Sequence, residues 1–150
     1  MHGLGNDFVV LDAISQHVNM TATLAQALAD RRFGVGCDQI LLIENPSTQD
    51  DEFSYRIFNQ DGSEVSQCGN GARCFAKYVS EKGLTQSSRI SVSTLAGKLE
   101  LVIEENGLIT VNMGAPDFTL STIPFIADNV ADSYAIDIDS ESLTANVLSL

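Results

Sequence analysis

The strongest constraint on this fold lies mid-chain, where Ala72, Phe75, Ala76 and Val79 recur at i, i+3, i+4 and i+7. That spacing predicts an amphipathic helix. Cys74 and Tyr78 widen its apolar face and leave Arg73, Lys77 and Glu81 as a narrower polar stripe. A helix apolar over most of its circumference has to be surrounded by other elements. Gly83 is placed to end it, because glycine accepts the left-handed conformation past a helix terminus.

The run into this helix is Ser66-Gln67-Cys68-Gly69-Asn70-Gly71-Ala72-Arg73-Cys74. A first helical turn has N–H groups without internal acceptors, and the helix dipole adds to them. Negative charge is favoured there, whether a cysteine thiolate or a bound carboxylate. The combination suits an enzyme that lifts a proton from a carbon beside a carboxylate. The competing reading of Cys68 is a structural cysteine buried after a turn.

The elements around the helix read mostly as strands. Phe8-Val9-Val10-Leu11, Ile40-Leu41-Leu42-Ile43 and Phe53-Ser54-Tyr55-Arg56-Ile57-Phe58 are apolar or partly alternating. Ile90-Ser91-Val92-Ser93 and residues 98–104 alternate, and residues 108–113 return after Asn106-Gly107. Asn-Gly between such runs predicts a type I′ hairpin with positive φ at both central residues. Thr23-Leu24-Ala25-Gln26 reads as a capping box for a first helix over 24–32, with Gly34 as its stop. The glycine-rich opening Gly3-Leu4-Gly5 precedes its strand, whereas a dinucleotide fingerprint would follow one. Together these elements predict an α+β fold, mostly antiparallel, with two helices.

Gly114-Ala115-Pro116-Asp117 reads as a linker. We expect a first domain over 1–114 and, over 115–150, a linker with the incomplete start of a second. The latter part carries acidic positions such as Asp128, Asp132, Asp137, Asp139 and Glu141, and the apolar runs Ile123-Pro124-Phe125-Ile126 and Val147-Leu148. It is too short for an independent core.

Charge and cysteine usage narrow the function. The net charge of −12 disfavours nucleic acid and anionic membrane as partners. No apolar run is long enough to span a bilayer, and the N-terminal segment lacks the basic and apolar regions of a signal peptide. Cys37, Cys68 and Cys74 form neither a disulfide framework nor, with His2 and His17, a zinc-ligand pattern, so a reducing cytoplasm is expected. A cysteine hydrolase would need a histidine base beside the thiol, and neither His2 nor His17 sits in a segment that suggests one.

Several segments, in order, resemble the diaminopimelate epimerase family. They are Met1-His2-Gly3-Leu4-Gly5-Asn6-Asp7-Phe8, Gly34-Val35-Gly36-Cys37-Asp38-Gln39, Tyr55-Arg56-Ile57-Phe58-Asn59 with Asp61-Gly62-Ser63-Glu64-Val65, and Cys68-Gly69-Asn70-Gly71-Ala72-Arg73-Cys74. Val92-Ser93-Thr94 and Val111-Asn112-Met113-Gly114 add to the likeness, which covers about residues 1–116. The resemblance implies a curved sheet wrapped around a central helix, the one after Cys68. It implies interconversion of LL- and meso-diaminopimelate, on the route to lysine and peptidoglycan, with neither pyridoxal phosphate nor a metal, by a homodimer in the full-length enzyme. Two cysteines on opposite faces of the substrate would exchange the α-proton. By position, Cys68 looks like one of them, Gly69 and Asn70 like part of the carboxylate site, and Asn6, Gln39 and Asn59 like substrate-binding amides. The family's second catalytic cysteine lies in a Gly-Ser-Gly-x-Cys segment that this sequence lacks. Cys74 is six residues from Cys68, about 240° round a helix, and is expected in the core. The chain therefore resembles the front half of such an enzyme, expected to be inactive alone. Proline racemase-like enzymes share the two-cysteine design and are an alternative on substrate. A non-catalytic half-epimerase that binds an amino acid or assembles with another chain is the alternative from a different class. The family's sheet is completed by the C-terminal end of the chain, so an isolated front half would expose an edge prone to association.

Overall fold

The computed structural model describes residues 1–66, 68–123, 125–127 and 129–149. Gln67 of the cysteine motif, Pro124 and Asp128 of the C-terminal runs, and Leu150 lie outside the described residues. The chain divides into two compact units, Met1–Asn112 and Met113–Leu150.

In the first unit the elements in order are β1 (His2–Gly3), β2 (Asn6–Asp12), α1 (Ala22–Ala29), β3 (Gln39–Glu44), β4 (Phe53–Asn59), β5 (Glu64–Val65), α2 (Gly69–Glu81), β6 (Arg89–Thr94), β7 (Gly97–Ile103) and β8 (Ile109–Asn112). Among the described residues the strands form one sheet in the order β1-β2-β3-β4-β6-β7-β8, with β5 also on β4. The sheet is mostly antiparallel, as expected, but it has two parallel pairs, β2 with β3 and β4 with β6. Each parallel pair is bridged by one of the two helices, because parallel neighbours need a long crossover.

The helix expected to be enclosed is α2, and it is. Ala72, Cys74, Phe75, Ala76 and Val79 are buried, and α2 touches β1, β2, β3, β7 and β8. The strands turn Phe8, Leu41, Ile43, Phe53, Tyr55, Ile57, Ile90, Val92, Leu99 and Leu101 toward it. Phe75 meets Phe53 edge-on at 5.6 Å and Tyr55 at 5.1 Å between ring centroids. The opposite face of the sheet packs Ile40, Leu42 and Phe58 with Cys37 and with Ala25 and Ala29 of α1. The unbroken apolar run of β3 follows from this: successive side chains alternate faces, and both faces are covered.

Two local expectations are corrected. Helix α1 spans Ala22–Ala29 rather than 24–32, and its N-cap is Thr21, not Thr23. Thr21 Oγ1 accepts the Leu24 N–H at 3.2 Å, while the Gln26 amide donates to the Asp61 carbonyl at 2.7 Å instead of closing a capping box. The helix ends where Asp30 takes the Arg32 and Phe33 N–H groups on its carboxylate, at 2.7 and 2.9 Å. Gly34 is needed for space, since a Cβ there would fall 2.1 Å from the Ala27 carbonyl oxygen. The second correction concerns the hairpin at Asn106-Gly107, where only Gly107 has positive φ, at 80°. Its N–H bonds the Glu104 carbonyl at 2.9 Å, and the Glu104 N–H bonds the Leu108 carbonyl at 2.9 Å. The loop is thus a turn followed by a left-handed glycine, one residue longer than a type I′ turn.

In the second unit β9 (Tyr134–Ile138) and β10 (Glu141–Ala145) form an antiparallel hairpin. Phe125 packs edge-on against Tyr134 at 5.0 Å, and Asp117 and Ser149 exchange backbone hydrogen bonds of 2.8 Å. No helix among the described residues is long and apolar enough to cross a membrane.

The core predicts two mutational outcomes. Phe75→Ala is expected to cost about 3–5 kcal/mol in denaturant unfolding, as large aromatic truncations in closed cores do. The Tyr55 hydroxyl is buried and has no hydrogen-bond partner among the described residues. Such a group opposes folding by its desolvation, so Tyr55→Phe is expected to hold or raise the melting temperature. A loss beyond about 1 kcal/mol would refute this reading of the hydroxyl.

Candidate active site

Strand alternation places the three predicted amides. Asn6 shares the α2-facing side of β2 with Phe8 and Val10, Gln39 shares that side of β3 with Leu41 and Ile43, and Asn59 that of β4 with Ile57 and Tyr55. Each is the terminal residue of an apolar row, so the core ends in a polar cap. The register then brings them together, with Gln39 opposite Asn59 and Phe8 opposite Gln39. Asn6 Nδ2 donates to Gln39 Oε1 at 3.3 Å, Gln39 Nε2 to Asn59 Oδ1 at 2.9 Å, and Asn59 Nδ2 to Ser63 Oγ at 3.2 Å. At the other end Asn6 Nδ2 also reaches Cys68 Sγ, at 3.9 Å. Residues separated by up to 62 positions thus form one hydrogen-bonded chain ending on a thiol.

Cys68 is the N-cap of α2, with extended backbone (φ −153°, ψ 112°), and its sulfur accepts the Gly71 N–H at 3.4 Å. A sulfur here fills the place usually taken by a serine or aspartate oxygen. Gly71 has to be small, because a Cβ would lie 3.0 Å from Ile57 Cδ1 and 3.5 Å from Cys68 Cβ. Asn70 lies under β1, whose Gly3 backbone passes so close that a Cβ there would sit 3.2 Å from Asn70 Cβ. The strand approaches over a tight hairpin, Leu4-Gly5, with positive φ at both residues (54° and 88°). Gly69 and Asn70 are therefore half-buried in the first turn of α2, next to Cys68.

The structure separates the three cysteines. Cys37 is buried in the α1-facing core and Cys74 in the α2-facing core, and burial pushes both thiols up. Cys68 is half-buried at the rim. No group of histidine, cysteine and carboxylate side chains among the described residues is arranged to hold a metal ion.

Sequence reasoning missed the other side of this site. Asp7 follows Asn6 and Asp38 precedes Gln39, so both point to the opposite face of the sheet. Their backbones and carboxylates are reciprocally bonded: Asp38 N–H to Asp7 Oδ1 at 2.7 Å and Asp7 N–H to Asp38 Oδ2 at 3.0 Å. Arg31 grips Asp7 through both carboxylate oxygens, at 2.9 and 3.1 Å, and Asp38 at 2.8 Å. Ser63 was also missed as the anchor of Asn59. The available signal was adjacency, since Asp7 and Asp38 each neighbour a predicted amide.

A family model described as diaminopimelate epimerase matches residues 1–119. The diaminopimelate epimerase of Teredinibacter turnerae is 51% identical over 150 residues, 100% of this chain and 54% of that one. The enzyme of that name from Aromatoleum aromaticum is 49% identical with the same coverage. The chain spans about half the length of these relatives. A solved hydroxyproline epimerase from Agrobacterium vitis, with bound trans-4-hydroxy-L-proline, has a TM-score of 0.59 at 13% identity, covering 83% of this chain and 36% of that one. That likeness is one of fold.

Two measurements check this geometry. Native alkylation followed by peptide mass spectrometry is expected to label Cys68 at least about tenfold faster than Cys37 or Cys74, which should react only on unfolding. The Asp7 carboxyl, held down first by its hydrogen bonds from Arg31 and then by the Asp38 N–H, is lowered to about 2. A carboxyl lowered by folding stabilises above its unfolded range and releases as pH falls through its folded value. Side-chain carbonyl NMR should therefore show Asp7 still ionised near pH 4 and titrating only toward about 2. A midpoint at the ordinary aspartate value would refute the clamp.

Proposed function

The chain belongs to the diaminopimelate epimerase family, and from that premise we propose that it supplies one face of a cofactor-independent, two-thiol inversion of diaminopimelate between its LL and meso forms. The observation that carries this reading is the amide chain Ser63–Asn59–Gln39–Asn6, which ends on the Cys68 sulfur at the start of α2.

In this reading the substrate α-carboxylate sits against the first-turn N–H groups of Gly69 and Asn70, where the helix start favours negative charge. Asn6, Gln39 and Asn59 hold the ammonium and carboxylate groups, since side-chain amides both donate and accept. The Cys68 thiolate takes the α-proton and becomes a thiol, and the electron pair passes into the carboxylate as an enolate. That charge is met by donors already aimed at it. A second thiol on the opposite face then gives its proton to the carbon and becomes the thiolate. In the reverse direction Cys68 is the donor. Inversion demands the second carrier, because one thiol on one face restores the original hand. Cys37 and Cys74, buried in the two cores, do not suit that role, so the second thiol comes from residues outside this chain. The complete enzyme is then a cytoplasmic two-domain protein, dimeric as the family resemblance implies, acting in lysine and cell-wall precursor synthesis.

The test is an assay of LL–meso interconversion by residues 1–150 and by a two-domain chimaera that joins them to the second half of the Teredinibacter turnerae relative. The chimaera is expected to turn over and the chain alone not. Cys68→Ala in the chimaera should lower the rate by about 10²–10⁴-fold, the usual worth of a positioned acid–base group. Full turnover by residues 1–150 alone, or by the Cys68→Ala chimaera, would overturn the proposal. Tight calorimetric binding of diaminopimelate by the half alone, with an inert chimaera, would instead favour a binding module.

A further inference from the structure

The candidate site is one side of a two-tiered arrangement. Asn6, Gln39 and Asn59 face α2 and the Cys68 thiol. The residues adjoining them in sequence, Asp7, Asp38 and Gln60, are linked to one another on the other side. Asp38 Oδ1 accepts from Arg31 Nη2 at 2.8 Å and from Gln60 Nε2 at 3.4 Å, and Arg31 holds both oxygens of Asp7. Arg31 lies just past α1, in the bend that leads to β3. Gly36 in that bend is left-handed (φ 81°), and a Cβ on it would come 3.0 Å from Arg31 Cα. The loop is therefore shaped around Arg31.

Charge attraction alone does not account for this arrangement. Arg31 is 53% exposed and its two carboxylate partners 38% and 40%, and exposed ion pairs add little to folding. What a guanidinium fork gripping one carboxylate bidentately does supply is fixed geometry. The geometry matters because adjacent strand residues move together: displacing Asp7 against Asp38 displaces Asn6 against Gln39. Misplacing a group by about 1 Å can cost a site about 10²-fold.

We propose that Arg31 is a positioning residue: by locking Asp7 to Asp38 behind the sheet it sets the spacing of Asn6 and Gln39 in front of it, and through Asn6 the surroundings of the Cys68 thiol. The meaning of that site rests on the inversion reading above, but the test needs no substrate.

The experiment compares the 150-residue chain with its Arg31→Gln and Arg32→Gln variants, each verified as folded by circular dichroism. It reads the side-chain amide ¹H–¹⁵N resonances of Asn6 and Gln39, and the rate of Cys68 alkylation by iodoacetamide at fixed pH. Arg31→Gln is expected to move both resonances and to slow alkylation about three- to tenfold, the worth of one modest hydrogen bond. Arg32→Gln is expected to change neither. Arg31→Lys, which keeps the charge but cannot grip both oxygens of Asp7, should fall between Arg31→Gln and the parent. A folded Arg31→Gln chain with unmoved resonances and an alkylation rate within about twofold of the parent overturns the proposal. If Arg31→Gln does not fold, Arg31→Lys and Asp7→Asn decide by the same two readouts. A failed inversion assay leaves this result standing, and an unmoved Arg31→Gln chain leaves the inversion reading standing.

Discussion

The first unit is organised by the enclosure of α2. A helix with Ala72, Cys74, Phe75, Ala76 and Val79 all buried has no outward face wide enough to rest on a flat sheet. The strands have to curve around it, and they do, from β1 and β2 at one end of the sheet to β7 and β8 at the other. Curvature fixes where each strand row points. The rows of β2, β3 and β4 converge on the start of the helix, where the apolar side chains give out. Packing brings the three strand ends together, and whatever residues stand there become neighbours. Here they are three amides.

The same enclosure explains why a thiol can occupy that point. An N-cap side chain normally satisfies an orphan N–H and does nothing else. Cys68 does satisfy one, from Gly71, but its sulfur also faces the amide chain at the open end of the core. Gly71 lets the first turn press against Ile57, and Gly3 lets β1 pass over Asn70. Both glycines are explained by close approach rather than by backbone conformation. Small residues are concentrated where the helix start, the sheet and the hairpin meet.

Much of this was legible in the sequence. The helical spacing of residues 72–79 required enclosure, and the apolar runs marked β2, β3 and β4. The three amides and the Cys68 segment were legible as a site only through the family resemblance, and the residues beside them on the other face were not. What was not legible depended on contacts between distant segments. Thr21 and Thr23 have the same capping chemistry, and the sequence pattern did not separate them; the structure has Thr21 as the cap. Asn106-Gly107 is a sound hairpin signal, but the loop length depends on how Glu104 and Leu108 pair. Gly34 satisfied a sequence rule for a helix stop while actually serving clearance from Ala27. The Arg31 cluster was invisible because its members lie 24 and 7 residues apart and join only once β2 and β3 are paired in parallel.

That parallel pair connects the architecture to the chemistry. In an antiparallel hairpin the turn itself holds two strand ends in register. A parallel pair has no such turn, since a crossover, here α1 and its flanking loops, separates β2 from β3 in sequence. Asn6 and Gln39 stand at the starts of these two strands, where a parallel ladder is least constrained. An additional fastening is needed there if the two amides are to hold a fixed spacing. The reciprocal Asp7–Asp38 bonds supply it, and the Arg31 fork ties that fastening to the end of the crossover helix. The crossover that makes the parallel pair possible thus also carries Arg31, just past α1, which grips Asp7 and Asp38, each one residue away from an amide of the candidate site.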